Sequence, residues 1–196
     1  AIELAQRRAG VLAGCDAAGI IKEVGPDVSG LKPGDRVTIN PGISCGHCEF
    51  CASGFGSQCT TYAMVGEHID GAYAQLLRVP AHIVLPIPDS LSFEEAAAAP
   101  LVFLTAWSMM VGKGDIRPGE DVLILGAGAG VGTAAIQIAK LVGCRVIATA
   151  STDEKLARAK QLGADILINY RKEEFDKGVR DITNKRGVDV VIDYIG

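Results

Sequence analysis

The chain predicts a two-part α/β protein, with a β-rich, antiparallel, barrel-like half followed by a doubly wound parallel sheet. Three observations carry this expectation. From Gly19 to about Pro88 the pattern is short β-branched runs broken by turn residues. After Ser92 it changes to four apolar β segments separated by helical patterns. Strand and helix alternating at that spacing build a parallel sheet with right-handed crossovers. The boundary falls in the helix that follows Ser92, giving domains 1–99 and 100–196.

In the first half the expected strands are 20–24, 36–39, 72–79 and 83–87. Leu31-Lys-Pro-Gly-Asp35 fits a turn with Pro second and Gly third, and it launches the strand 36–39. Ser92-Phe-Glu-Glu95 is a capping box, whose hydroxyl and carboxylate satisfy the free amides of a helix entering the alanine run. In the second half the strands are 122–125, 146–149, 166–168 and 190–192. Ser151-Thr-Asp-Glu154 reads as a second capping box, Gly163 stops the helix it opens, and Gly143 stops the helix before.

With 196 residues, 48% of them hydrophobic and 21% charged, the chain has enough apolar side chains for a sizeable core. A net charge of -4 and a pI near 5.4 exclude the basic surface that a nucleic-acid partner requires. The cysteine-rich segment 45–61 carries Glu49 and no Lys or Arg. The longest apolar stretch, 96–111, is interrupted by Pro100, Thr105 and Ser108 and is short for a membrane span, so it reads as a buried helical junction. Nothing at the N-terminus resembles a signal peptide, and the expectation is a cytoplasmic protein without a membrane partner.

Cys45-Gly-His-Cys48-Glu-Phe-Cys51, closed by Cys59, places four thiols within fifteen residues. That is the donor density of a closed tetrahedral zinc site, in which all four positions are thiolates and none is open to water. Such a site staples a loop and does no chemistry. Disulfides are the weaker reading in a chain with no sign of export. The bacterial iron–sulfur run places its fourth Cys three residues on and follows it with Pro, whereas Cys59 comes later and precedes Thr60. His47 reads as a solvent-facing loop residue.

The turn Gly126-Ala-Gly128-Ala-Gly130-Val131-Gly132 follows the first strand of the second half and opens a helix. Glycines there let the backbone approach a pyrophosphate, and the amides at the helix N-terminus face its negative charge. The bland reading is a merely tight strand-to-helix turn. Four glycines in seven residues exceed what such a turn needs. The spacing departs from strict Gly-x-Gly-x-x-Gly, because Val131 takes the place of the last glycine counted from Gly126.

An acid normally ends the second strand and holds the ribose hydroxyls of NAD; this chain has Ala150-Ser151-Thr152 instead. Its loss removes a charge that repels a 2′-phosphate. Lys155, Arg171 and Lys172 supply positive charge nearby, and Ser151 and Tyr170 supply hydroxyls, so NADP is favoured with NAD as the alternative. Two readings stay open: Lys155 as an ordinary exposed helix residue, and Asp153 or Glu154 as a ribose ligand.

These residues resemble the medium-chain dehydrogenase/reductase superfamily, in which a GroES-like catalytic domain precedes a Rossmann domain. The resemblance runs from Gly14-Cys-Asp-Ala-Ala-Gly19 through the four-cysteine lobe, Asp70-Gly-Ala-Tyr-Ala74 and Thr105-Ala-Trp107 to Val188-Asp-Val-Val-Ile-Asp193. It implies that the lobe is the structural zinc site of alcohol dehydrogenases. Ala148-Thr-Ala-Ser-Thr-Asp-Glu-Lys155 and Ile168-Asn-Tyr170 resemble the NADPH-using quinone oxidoreductase branch, where the matching Ser, Lys and Tyr face the 2′-phosphate. Thr105 matches a threonine beside the nicotinamide.

Where alcohol dehydrogenases show Gly-His-Glu at a catalytic zinc, this chain has Gly14-Cys15-Asp16, and no ligand stands near Phe103. The catalytic residues are therefore not assigned. Cys15 and Cys144 read as small buried residues, and His68 and His82 as surface or strand-end residues. The step from Arg7-Arg8-Ala9-Gly10 to Gly14 is short for the family, and both domains read as partial. The resemblance implies a homo-oligomeric oxidoreductase, dimer or tetramer, acting on a small carbonyl, quinone, enone or alcohol. A zinc-dependent alcohol dehydrogenase using Cys15 and a non-catalytic nucleotide-binding module are the competing expectations.

Overall fold

An antiparallel pair opens the described part of the chain, residues 11–195 of a computed structural model, so Arg7 to Gly10 lie outside it. β1 (Ala18–Ile20) runs against β2 (Arg36–Ile39), with Gly19 opposite Val37. The strand expected at 20–24 ends early. Ile21 N–H donates to the Asp35 carbonyl and Gly34 N–H donates back to Ile21, so the chain leaves the ladder before Val24. Inside the loop the Asp35 carboxylate accepts from Lys32 N–H at 2.9 Å.

β3 (Gly42–Ile43) pairs with β4 (Ala63–Met64), and the cysteine lobe with its short α1 (Glu49–Ala52) hangs between them. β5 (Val84–Pro86) completes a sheet ordered β1-β2-β5. Ile39, Val65 and Ile83 form the core beneath it. The segment 72–79 is not a strand. The amides of Gly71, Ala72 and Tyr73 donate to the carbonyls of Leu12, Gly14 and Ala13, after which Leu76 stands exposed and no ladder continues. Among the described residues the sheets therefore stay open rather than closing into a barrel.

α2 (Phe93–Ala98) starts at the expected capping box: Ser92 Oγ accepts from Glu95 N–H, and Glu95 Oε2 accepts from Ser92 N–H. Arg36 secures the approach. Its guanidinium donates to the Pro88 and Leu91 carbonyls and lies 4.8 Å above the Phe93 ring. α3 (Pro100–Trp107) and a π-helical stretch Ser108–Lys113 follow. The apolar run expected to be a buried junction is mostly uncovered: in the helical stretch Phe93–Lys113 that contains it, 17% of the most apolar eighteen residues are buried, and Phe103, Leu104 and Trp107 are exposed. By length and composition the stretch 93–113 could cross a membrane. Ala106 and Met110 nevertheless sit in the core of the second unit, and the Ala96 carbonyl accepts from Thr38 Oγ1 in the first. An apolar perimeter wider than one core can cover leaves the remaining side chains in the open.

The chain divides into two compact units, Ala1–Leu101 and Val102–Gly196. The second is a parallel sheet of β6 (Asp121–Ile124), β7 (Arg145–Ala150), β8 (Ile166–Asn169) and β9 (Val190–Ile192), ordered β8-β7-β6-β9. α4 (Gly130–Val142), α5 (Asp153–Gln161) and α6 (Phe175–Ile182) connect the strands. β6 is buried along its whole length, as a central parallel strand covered on both faces must be. The order grows to one side from β6 to β8 and then reverses to β9, so the end of β6 is a topological switch point. α4 ends at Gly143, whose φ of 94° suits the left-handed cap. The cap of α5 shifts from the expected Ser151 to Thr152, whose Oγ1 accepts from Lys155 N–H at 3.3 Å. Lysine at that third position carries no carboxylate to answer, so one hydrogen bond replaces the expected box.

Candidate metal centre and nucleotide site

In the first unit the β3–β4 pair holds both ends of the cysteine lobe. The sulfurs of Cys45, Cys48, Cys51 and Cys59 all lie within 4.8 Å of one another. Cys45 and Cys51 are 3.9 Å apart and Cys48 and Cys51 3.5 Å, bracketing the roughly 3.8 Å edge of a tetrahedron with metal–sulfur bonds of about 2.3 Å. The lobe also supplies donors to its sulfurs. Cys45 N–H points at Cys59 Sγ and Cys48 N–H at Cys45 Sγ, each at 3.3 Å, and Thr61 Oγ1 stands 3.5 Å from Cys59 Sγ. The amide of Cys45, followed by the Thr61 hydroxyl, holds the Cys59 thiol down to about 6. Burial pushes Cys51 the other way. The donor set fits one thiophilic cation with no open position.

His47 is exposed and turns Nδ1 to the Cys45 carbonyl at 2.8 Å, away from the sulfur cluster. Cys15 is half-buried rather than buried, and desolvation followed by the Asp16 charge raises its pKa. Cys144 is buried, with its thiol donating to the Arg117 carbonyl. His68 Nδ1 accepts from Met64 N–H. Among the described residues the four cysteines are the only set of three or more metal-ligating side chains.

In the second unit the glycine turn bridges β6 and α4 at the switch point. Leu125 N–H donates to the Ile192 carbonyl and Ala127 N–H to the Thr149 carbonyl, so the turn is pinned to strands on both sides. Gly126 has φ of 64°, a left-handed conformation. A Cβ on Gly132 would lie 2.6 Å from the Tyr194 hydroxyl and 2.7 Å from the Gly126 carbonyl, so this glycine permits the close packing of helix on strand. A Cβ on Gly130 would lie 2.9 Å from Val102 Cγ1. Thr105 is about one helical turn beyond Val102 on α3. Gly128 faces Lys155, whose stem would sit 2.7–2.9 Å from an added Cβ.

The sequence places Ser151 and Tyr170 apart; the sheet brings them to neighbouring strand ends. Ala150 pairs with Asn169, and Tyr170 N–H donates to the Ala150 carbonyl, so Ser151 and Tyr170 leave adjoining strand ends. Lys172 does not join them as a free charge. Its Nζ donates to Asp153 Oδ2 at 2.5 Å, while Asn169 Nδ2 donates to Oδ1 at 2.6 Å, and together they hold the Asp153 carboxyl below the usual carboxylate range. Glu154 pairs with Arg158 along the helix at 3.6 Å. Asn169 joins Asp153 only through the β7–β8 register that sets it opposite Ala150, and no residue pattern in the sequence marks it.

An open antiparallel domain carrying a four-cysteine lobe, followed by a parallel sheet with a glycine turn at its switch point, defines the two-domain architecture of nicotinamide-dependent dehydrogenases and reductases. Residues 2–89 match the alcohol dehydrogenase GroES-like domain and residues 130–196 the zinc-binding dehydrogenase domain. An alcohol dehydrogenase of Geobacillus stearothermophilus is 42% identical over 173 residues, 87% of this chain and 50% of that protein. An NAD-dependent alcohol dehydrogenase of Sulfurisphaera tokodaii is 38% identical over 184 residues, 93% of this chain and 53% of that protein. The crystal structure of an NAD-dependent alcohol dehydrogenase superposes with a TM-score of 0.93 at 51% identity, covering 97% of this chain and 55% of that one. The chain belongs to the zinc-containing alcohol dehydrogenase family of the medium-chain dehydrogenase/reductase superfamily. It spans about half the length of the curated relatives it matches.

Proposed function

We propose that this chain serves an NADP(H)-dependent oxidoreductase that moves hydride to or from a small carbonyl, quinone or enone, with a structural zinc in the cysteine lobe. The observation that carries the reading is the turn Gly126 to Gly132 at the sheet's switch point, with Lys155 laid across Gly128. Backbone amides at the start of α4 would receive the pyrophosphate, aided by the positive end of the helix. Lys155 would pair with the 2′-phosphate, and Ser151 and Tyr170 would donate hydroxyls to it. Gly126, Val131 and Thr105 would line the path of the nucleotide. The nicotinamide, when bound, supplies the hydride chemistry. Cys45, Cys48, Cys51 and Cys59 would hold zinc and stabilise the lobe without touching substrate.

The 2′-phosphate reading rests on this chain's own side chains, since several relatives are named NAD-dependent. No acid ends β7, and the nearest one, Asp153, is held by Asn169 and Lys172. Calorimetric titration with NADPH and NADH tests it: NADPH should bind at least about tenfold more tightly, as one or two charge-assisted hydrogen bonds predict. Equal affinity, or tighter NADH, would overturn the assignment.

A second reading follows from the relatives named alcohol dehydrogenases: alcohol oxidation at a catalytic zinc that includes Cys15. Metal analysis separates the two. One zinc per chain supports the structural site alone, and two support the alcohol dehydrogenase.

A further inference from the structure

Resting on the 2′-phosphate reading, we propose that Asn169 and Lys172 form a latch on Asp153 that keeps its carboxylate away from the nucleotide ribose and thereby sets cofactor preference. Asp153 opens α5 two residues after Ser151 and is the first acid beyond the end of β7. Each of its oxygens already accepts one hydrogen bond that fixes its orientation, Oδ1 from Asn169 Nδ2 at 2.6 Å and Oδ2 from Lys172 Nζ at 2.5 Å. The anchor is Asn169, which is buried. Its Oδ1 accepts from Arg171 N–H at 3.1 Å, and its carbonyl accepts from Lys172 N–H at 2.9 Å and Glu173 N–H at 3.1 Å. The loop that carries Lys172 is therefore wound on the same residue, through its carbonyl and its side chain, that grips Asp153.

The latch has a consequence in charge. A carboxylate turned toward the ribose would accept from a 2′-hydroxyl and repel a 2′-phosphate, so holding it aside favours the phosphorylated nucleotide. The neighbouring acid does not replace it, because Glu154 pairs with Arg158. The Asp153–Lys172 pair is itself solvent-exposed and adds little to stability, so it can be broken without unfolding the unit.

The test uses the full chain and the fragments 2′,5′-ADP and 5′-ADP, titrated by calorimetry with melting temperature as a fold control. Lys172→Met should weaken 2′,5′-ADP binding about tenfold while leaving 5′-ADP binding unchanged or tighter, and adding Asp153→Asn should restore most of the loss. A double variant as weak as the single one would show that Lys172 contacts the phosphate directly and would overturn the latch. So would a single variant that binds like the wild type. A wild type without preference for 2′,5′-ADP would remove the 2′-phosphate reading instead. The latch would then be judged on 5′-ADP, whose affinity must rise in Lys172→Met; no rise overturns it.

Discussion

The Tyr194 hydroxyl donates to the Gly126 carbonyl at 2.5 Å, joining the residue just past β9 to the first glycine of the β6–α4 turn. The same oxygen occupies the space a Cβ on Gly132 would need. One side chain thus fixes the turn's conformation and its approach to the helix. Tyr194→Phe should cost about 1 kcal/mol of stability, the net value of a neutral hydrogen bond, and should weaken dinucleotide binding. Burial raises the Tyr194 pKa, so its protonated form is favoured in the fold. Its contribution is complete below the unfolded tyrosine value near 10 and declines as pH rises through the folded value. Denaturant melts of both proteins at neutral and alkaline pH check this: their gap should narrow above about pH 10.

The metal lobe predicts a separable defect. Cys48→Ser replaces one sulfur of a four-thiol set, so zinc content should fall from about one equivalent toward none and the lobe should become protease-sensitive. Nucleotide affinity in the second unit should be retained. Elemental analysis of the purified variant decides it, and a full equivalent of retained zinc would remove the assignment.

Gly128→Val puts a branched side chain where Lys155 now lies. The outer Lys155 stem can rotate aside, but its Cβ, 2.9 Å from the added one, moves only with the backbone of α5, so the start of α5 must shift and both the backbone approach and the lysine are disturbed. NADPH affinity should drop by more than about tenfold with zinc content unchanged. Fluorescence titration gives the answer; unchanged affinity would mean that the turn is structural only.

What could be read from the sequence was whatever depends on backbone demands within a few residues. The glycine turn, the Ser92–Glu95 box and the stop at Gly143 each state their geometry in residue type, and the structure shows the expected box and helix end. The four cysteines gather for the same reason, since a short loop limits how far their sulfurs can separate. Features set by distant partners were hidden. The segment 72–79 has an apolar pattern, but its Ala72 and Tyr73 amides go to the Gly14 and Ala13 carbonyls rather than to a strand, while Leu77 and Val79 pack against the Ile39–Val65–Ile83 core. The apolar run 96–111 says nothing about which face is covered. The grip of Asn169 and Lys172 on Asp153 spans sixteen and nineteen residues and appears only once β7 and β8 are in register.

The opposite end of the same sheet makes the last prediction. Asp121 begins β6, is 5% exposed, and accepts from Arg145 at 2.5 and 2.7 Å and from Arg186 at 2.6 Å. Arg186 also pairs with Asp189, whose carboxylate accepts from Asp121 N–H at 2.8 Å. These contacts tie β6, β7 and the start of β9 together at the end of the sheet remote from the glycine turn. Hydrogen bonds from Arg145 hold the Asp121 carboxyl below the usual carboxylate range. Because the folded pKa is depressed, this contribution is fully present above the unfolded value of about 3.9 and is lost as pH falls through the folded one. Asp121→Asn leaves two guanidinium groups short of their buried acceptor but still in reach of water, so it should cost about 2 kcal/mol at neutral pH. Thermal melts across the acid range should show the wild type losing its advantage over Asp121→Asn below about pH 4, with the nucleotide and zinc sites unaffected at pH 7. A constant difference between the two proteins at every pH would assign the effect to shape rather than to charge.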